Sequence, residues 1–148
     1  MRLDLLLNLE ALENPDPALK KLFKLAKGPK EPPGREQLAE LACEIYNGRR
    51  LRNRFLNESM LGEPVWDMLL ALYSFGARGE TLSVSALCQS PGVPATTALR
   101  WENVMEQKGL IEGTRDKTDA RRIFMSLTDK ANRIMDEYLA TYYAGRKA

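Results

Sequence analysis

The stretch that decides the fold runs from Leu82 to Thr128 and reads LSVSALCQSPGVPATTALRWENVMEQKGLIEGTRDKTDARRIFMSLT. It begins with a short run of apolar residues at helical spacing, with Ser83 where an N-cap belongs. The segment SPGVP then interrupts the pattern, because Pro91 has no backbone N–H and Gly92 can adopt a positive φ. The sequence therefore predicts a helix of two turns followed by a tight reversal of the chain.

A second helix is predicted from Pro94 to Lys108. Ala98, Trp101 and Met105 recur at helical spacing and should face inward. The pattern stops at Gly109, the residue type that best tolerates the left-handed position after a helix. Because the connection between the two helices is short, they must cross.

The other face of this second helix carries small or hydrogen-bonding side chains and no carboxylate: Ala95, Thr96, Thr97, Arg100 and Asn103. Such a face can enter a DNA major groove, where threonine and asparagine bond to base edges and Arg100 pairs with guanine or a phosphate. An ordinary amphipathic surface helix would show the same spacing, so the pattern alone leaves both interpretations open.

Segments 110–115 and 122–127 both have strand character, and Ile123, Met125 and Leu127 alternate with Phe124 and Ser126. The polar turn between them predicts a hairpin with a charged tip over 115–122. Arginine at a protruding tip suits the narrow, negative minor groove, and Asp119 could orient the Arg121 guanidinium by a paired hydrogen bond. The candidate DNA contacts here are Arg115, Lys117, Asp119, Arg121 and Arg122. A solvated turn is the alternative. The order helix, turn, helix, hairpin is that of a winged helix-turn-helix.

Segment 119–131, DARRIFMSLTDKA, resembles the wing signature of the MarR family of bacterial transcription regulators, an Asp-x-Arg followed by an apolar strand ending in Leu-Thr. Segment 98–110 resembles that family's recognition helix and its Gly-Leu exit, and the likeness runs from about residue 34 to the C-terminus. Two positions depart from the family: Pro94 replaces a hydroxyl N-cap and Glu102 replaces an apolar residue. Glu102 could be a half-buried partner of a nearby arginine.

The resemblance implies a homodimer in which the first and last helices of the domain pack against their mates. Two recognition helices would then lie one DNA turn apart, on an inverted repeat with half-sites about 10 base pairs apart. The candidate dimerisation residues are Leu38, Leu41, Ile45, Ile134, Tyr138, Leu139 and Tyr142. The resemblance also implies a small-molecule effector in a crevice that Trp66, Tyr73, Tyr46 and Phe55 could line, although core packing is the favoured interpretation of these aromatic residues.

The whole chain is expected to be mostly α with a small β-hairpin wing and long flanking helices, in two parts. Residues 1–33 form an N-terminal helical appendage and a linker, whose apolar stripes need burial on the body, a second subunit or another protein. Residues 34–148 form the winged-helix domain. Within it, a helix from Arg35 should continue past Gly48 to Leu56, the segment 64–75 should be an almost wholly apolar core helix, and a final helix should follow Asp129.

A run of four arginines, Arg49, Arg50, Arg52 and Arg54, lies in the first of these helices. It could be a solvated face, contact DNA phosphates at the flank of the site, or pair with acidic residues such as Asp136 and Glu137. The sequence does not decide between these three roles.

The composition narrows the function. With no histidine and two distant cysteines, the 148-residue chain lacks the usual catalytic base and zinc ligands, and it has no glycine-rich phosphate loop. We therefore expect no enzyme, metal or cofactor. Asp4 and Glu10 interrupt the leucine-rich start and no stretch is apolar enough to span a membrane, which favours a cytoplasmic protein. A net charge of +2 identifies no partner, so a winged-helix module for protein contact remains the alternative to DNA binding.

Overall fold

A computed structural model describes residues 33–57 and 60–146 of the chain. The N-terminal appendage predicted over 1–33 lies almost entirely outside the described residues, so its helices remain predictions. The described helices are α1 (Arg35–Leu51), which runs into a 3₁₀ turn (Arg52–Arg54), α2 (Pro64–Ala77), α3 (Val84–Gln89), α4 (Ala95–Gln107) and α5 (Asp129–Arg146). The strands are β1 (Leu82–Ser83), β2 (Ile111–Arg115) and β3 (Ile123–Leu127).

The three strands form an antiparallel sheet in the order β1-β3-β2. Met125 in the central strand lies opposite Leu82 on one side and Gly113 on the other. The sequence did not predict β1, because a two-residue strand has no periodicity of its own. Ser83 nevertheless caps α3 as expected, since its Oγ accepts a hydrogen bond from the Ala86 N–H at 3.1 Å. Helix α3 therefore begins at Val84, two residues later than the apolar run.

The core is built around α2, as the sequence predicted. Its buried residues include Met68, Leu70, Leu72 and Tyr73, and α1, α3, α4, β3 and α5 all pack against it. The Tyr73 hydroxyl donates to Asp136 Oδ1 in α5 at 2.5 Å, and burial together with this hydrogen bond raises the pKa of Tyr73. The element order and the sheet make the described chain a winged helix-turn-helix, mostly α with a small β wing.

The first helix is shorter than the sequence suggested. It runs through Gly48 without a break and ends at Leu51. The predicted continuation is wrong because its apolar residues Leu51, Phe55 and Leu56 are all exposed, Phe55 to 79%, so no core contact extends the helix. Within the described part of the chain, every helix is too short or too polar to cross a membrane.

Candidate nucleic-acid interface

Helix α4 has the bounds expected of the recognition helix to within one residue at each end. Pro94 is its N-cap and lacks a capping side chain, but its carbonyl accepts the Ala98 N–H at 3.0 Å. At the other end Gly109 has a φ of +70°, and the Leu110 N–H returns to the Met105 carbonyl at 3.0 Å. This closed C-terminus fixes the direction in which the chain enters β2.

The two faces of α4 differ as predicted. Ala98 and Met105 are fully buried and Trp101 is half-buried. Of the five residues predicted to face outward, Thr97 is half-buried. The other four are exposed: Ala95, Thr96, Arg100 and Asn103. The Arg100 guanidinium lies 5.9 Å from the centroid of the Trp101 ring, a cation–π contact that leaves its hydrogen-bond donors facing solvent.

One exposed residue of this face escaped the sequence reasoning. Leu99 is 47% exposed and lies between Ala98 and Arg100. A large apolar side chain beside hydrogen-bonding groups can contact the methyl group of thymine. The sequence could have indicated this exposure, because Leu99 directly follows the inward-facing Ala98 on a helix and so points away from the core.

Glu102 lies on the inner side of α4, where it is only 3% exposed. The prediction that it is half-buried and pairs with an arginine is wrong, because no arginine of the described chain bonds to it and it is fully buried. Burial, and then the nearby Glu106 carboxylate, raises its pKa. The carboxylate is therefore turned away from the exposed face, which keeps the first turns of that face free of negative charge.

The wing is a regular hairpin in which five residue pairs join β2 and β3, from Ile111 with Leu127 to Arg115 with Ile123. Gly113 is required by close approach, because a Cβ there would lie 2.9 Å from Ile123 Cγ2. Beyond the strands the Asp116 N–H donates to the Arg122 carbonyl at 3.0 Å. Asp116 Oδ1 accepts both the N–H and the hydroxyl of Thr118 at 2.9 Å, which lowers the pKa of Asp116.

The tip of the wing carries exposed cations, and Asp119 organises one of them. Its Oδ1 accepts the backbone N–H of Arg121 at 3.0 Å and the Arg121 Nε–H at 3.3 Å. This differs from the predicted paired hydrogen bond, since only one guanidinium donor is used. The Arg121 side chain is 92% exposed, so its two terminal nitrogens point to solvent. Arg115, Lys117 and Arg122 are also exposed.

The run of arginines in α1 divides into two kinds. Arg49 and Arg50 both bind Asp67 of α2, with Arg49 Nε at 2.5 Å from Oδ1 and Arg50 Nη2 at 2.8 Å from Oδ2. Pairing with Asp136 or Glu137 is therefore wrong for these two, and Asp136 accepts from Tyr73 instead. Arg52 and Arg54 are exposed.

The sequence reasoning missed Asp67, which is fully buried. A signal was present, because Asp67 is the only charged residue within the segment 64–77, PVWDMLLALYSFGA. A carboxylate in a core helix must be paired to be tolerated. The arginine run one helix earlier supplies those partners.

The candidate dimerisation residues fall into two groups. The first group is buried in the chain's own core and consists of Leu38, Leu41 and Leu139, so the assignment of these three residues to a subunit interface is wrong. The apolar residues of α1 are buried there because α1 packs against both α2 and α5. Ile45 is half-buried. Ile134, Tyr138 and Tyr142 remain exposed on α5, and the Tyr138 ring meets Trp66 edge-on at a centroid distance of 4.8 Å.

A cavity of about 370 Å³ lies between α1, α2 and the start of the helix-turn-helix. Its wall includes Tyr46 but none of the other three aromatic residues predicted for an effector crevice. Tyr73 is buried in the core, Phe55 is exposed to solvent, and Trp66 packs on Tyr138. Of these four residues, Tyr46 lines this cavity and Trp66 lines another one beside Trp101, whereas Tyr73 has the core position that the sequence favoured and Phe55 lines neither cavity.

No protein-family model and no curated protein sequence matches this chain. Solved structures do resemble it. One is ZitR, a zinc-responsive MarR family member of Lactococcus lactis, at 18% identity and a TM-score of 0.45, over 59% of this chain and 57% of ZitR. This chain thus spans little more than half the length of ZitR.

Two others match over more of their length. The S. aureus MepR–DNA complex shares 18% identity at a TM-score of 0.48, covering 73% of this chain and 75% of MepR. A probable transcriptional regulator from Pseudomonas aeruginosa shares 21% identity at a TM-score of 0.47, covering 73% and 76%. At 18–21% identity, these likenesses concern the fold alone.

Proposed function

We propose that this protein is a cytoplasmic transcriptional regulator that binds duplex DNA as a homodimer, with α4 in the major groove and the wing at the minor groove. The observation that carries the proposal is the exposed face of α4, which presents donors, acceptors and one arginine over its first turns, where Glu102 is turned into the core and the exposed Glu106 follows only in the last turn. Two directly connected elements, α4 and the β2–β3 wing, then supply both kinds of contact that such docking requires.

The outer face of α4 suits base edges. Thr96, Thr97 and Asn103 can donate to or accept from bases, and Ala95 lets the backbone come close. Arg100 can pair with guanine, while Leu99 can pack on a thymine methyl. These contacts would specify sequence.

The wing suits the backbone and the minor groove. Its exposed cations neutralise phosphates, and Arg121, held at one nitrogen by Asp119, offers its remaining donors to the narrow groove. Asp119 therefore acts as an orienting residue for Arg121 rather than as a DNA contact. Contacts of this kind position the protein and contribute affinity on any sequence.

Dimerisation is proposed through the exposed side of α5. Ile134, Tyr138 and Tyr142 are apolar or aromatic residues that a solvated helix face would not require. Tyr138→Glu should convert the dimer to a monomer in sedimentation, because a carboxylate would be buried in the contact. The control is Arg133→Glu, an exposed change on the same helix. An unchanged dimer in Tyr138→Glu would rule this face out.

The cavity between α1, α2 and α3 is the proposed effector site. Its volume falls within the range of about 300–1,000 Å³ typical of ligand pockets, and its lining is largely apolar with a few polar groups such as Arg78 and Ser74. That lining suits a small aromatic compound, and an anionic substituent could reach Arg78.

The proposal is tested by incubating the purified protein with fragmented DNA of the source genome and sequencing what is retained. We expect a shared inverted repeat, and binding to it should fall steeply between low and moderate salt as counterions are released. A protein-contact module, the alternative that the small net charge leaves open, would retain no sequence and show no such salt dependence.

A further inference from the structure

The turn between α3 and α4 is held from outside by two side chains of α1. The Tyr46 hydroxyl donates to the Ser90 carbonyl at 2.6 Å. Arg50 Nη1 donates to the carbonyl of the next residue, Pro91. Two consecutive carbonyls of the turn are thus bonded to α1, more than forty residues earlier in the chain.

Arg50 is itself held from a third helix. Its Nη2 donates to Asp67 Oδ2 at 2.8 Å, and the guanidinium carbon lies 5.6 Å from the Tyr46 ring centroid. Asp67 is fixed in turn by Arg49, whose Nε lies 2.5 Å from Oδ1. The planar, rigid guanidinium therefore spans two acceptors in fixed positions, which a flexible ammonium cannot do.

The turn lies close against the Arg50 side chain at Gly92. Gly92 has a φ of +66°, and a Cβ there would lie 2.7 Å from Arg50 Nη1. Only glycine provides both the left-handed conformation and the space. The position of the turn relative to Arg50 is therefore set both by the hydrogen bond to Pro91 and by the contact at Gly92.

We propose that Arg50 is a positioning residue for the recognition helix. It fixes the α3–α4 turn against α1 and so sets the angle at which α4 is presented, while Asp67 orients Arg50. This inference rests on the proposed function and adds a residue that touches no DNA. Arg50 lies in the arginine run that could have supplied phosphate contacts, but its side chain is only 20% exposed and both terminal nitrogens are engaged.

The first test needs no DNA. Amide hydrogen exchange is followed by NMR in the wild type, Arg50→Met and Arg52→Met, where Arg52 is an exposed arginine of the same segment with the same charge change. The probe is the Gly92 N–H, which donates to the Gln89 carbonyl at 3.2 Å. We expect exchange at Gly92 at least about tenfold faster in Arg50→Met, with β2 and β3 unchanged and Arg52→Met like the wild type. Unchanged exchange at Gly92 would overturn the proposal.

If Arg50→Met fails to fold, Tyr46→Phe and Arg50→Lys replace it. Tyr46→Phe removes only the donor to Ser90, and Arg50→Lys keeps a charge beside Asp67. Both should speed exchange at Gly92 in a folded protein. Wild-type exchange in both variants would contradict the proposal.

The second test uses the selected DNA site and compares Arg50→Lys with the wild type on specific and random duplexes. A lysine would preserve a phosphate contact but cannot span Asp67 and Pro91 together. A positioning role predicts a loss of about tenfold in the ratio of specific to non-specific affinity, with an unchanged salt slope. Wild-type behaviour of Arg50→Lys, with a salt slope lower by about 1 in Arg50→Met, would show a phosphate contact instead and overturn the proposal.

The two tests separate the two failures. If the wild type binds no duplex, the proposed function fails, yet faster exchange at Gly92 would still show that Arg50 holds the turn. If the wild type binds its site and Gly92 is insensitive to Arg50, the positioning role alone fails.

Discussion

Two arginines of this chain are each paired with an aspartate, yet their surroundings are opposite. Arg50 and Asp67 lie where α1, α2 and the α3–α4 turn meet, and the Asp67 carboxylate is fully buried. Arg121 and Asp119 lie at the tip of the wing, where the guanidinium is almost fully exposed. Removing one partner of a buried pair leaves an uncompensated charge, whereas an exposed pair contributes little stability. The first arginine is thus committed to the fold and the second is available to a partner.

The largest effect is expected for Asp67→Asn. Loss of this carboxylate leaves Arg49 and Arg50 partly buried without their counter-charge, which should lower the free energy of unfolding by about 3–5 kcal/mol. Urea unfolding of Asp67→Asn measures it. The matched control, Asp119→Asn, should change stability by less than about 0.5 kcal/mol. Similar losses in both variants would remove the contrast between the two pairs.

Arg100→Ala tests whether the exposed face of α4 contacts DNA bases. We expect a loss of about 1–3 kcal/mol on the selected site together with a changed preference at one base, because the arginine would pair with one guanine. Thr97→Ala should also change a base preference. Binding selections on randomised half-sites measure both. Full affinity and unchanged preference in Arg100→Ala would contradict major-groove docking of α4.

Arg121→Ala tests whether the exposed arginine of the wing contributes to DNA affinity and not to stability. Affinity should fall by about 1 kcal/mol on every duplex, with a salt slope lower by about 1, because a minor-groove and phosphate contact carries little sequence information. Unfolding of the variant should match the wild type, since the side chain is 92% exposed. Titrations at several salt concentrations provide the measurement. A loss of stability without a loss of DNA affinity would reverse the assigned roles.

Glu102→Gln extends the comparison to a buried acid with no arginine partner among the described residues. Burial, and then Glu106, raises the pKa of Glu102 above its ordinary value of 4.5. The folded protein therefore binds more protons than the unfolded chain above pH 4.5, and wild-type stability falls as pH rises through that window. We expect Glu102→Gln to be more stable by about 1 kcal/mol at pH 7, with no difference below pH 4.5.

Thermal or urea unfolding between pH 4 and pH 8 measures this effect. The control is Glu80→Gln, an exposed change that should leave the pH dependence intact. Equal pH profiles for the wild type and Glu102→Gln would show that Glu102 ionises normally.

Local signals made the helix-turn-helix and the wing predictable. The Ser83 cap, the Pro91-Gly92 turn, the Gly109 exit and the alternation in β3 each act over a few residues, and all four have the predicted roles. The pairing of Arg50 with Asp67 was not predictable in this way, because 17 residues separate the partners and only packing brings them together. For the same reason Leu38 and Leu139 were assigned to a subunit contact, although the chain itself buries them.

The Tyr46 hydroxyl contributes to two features of the molecule. It bonds to the Ser90 carbonyl, and both residues also line the 370 Å³ cavity. A molecule filling that cavity would meet the very bond that ties the helix-turn-helix to α1. Such a molecule would therefore contact the same side chain that holds the turn before α4.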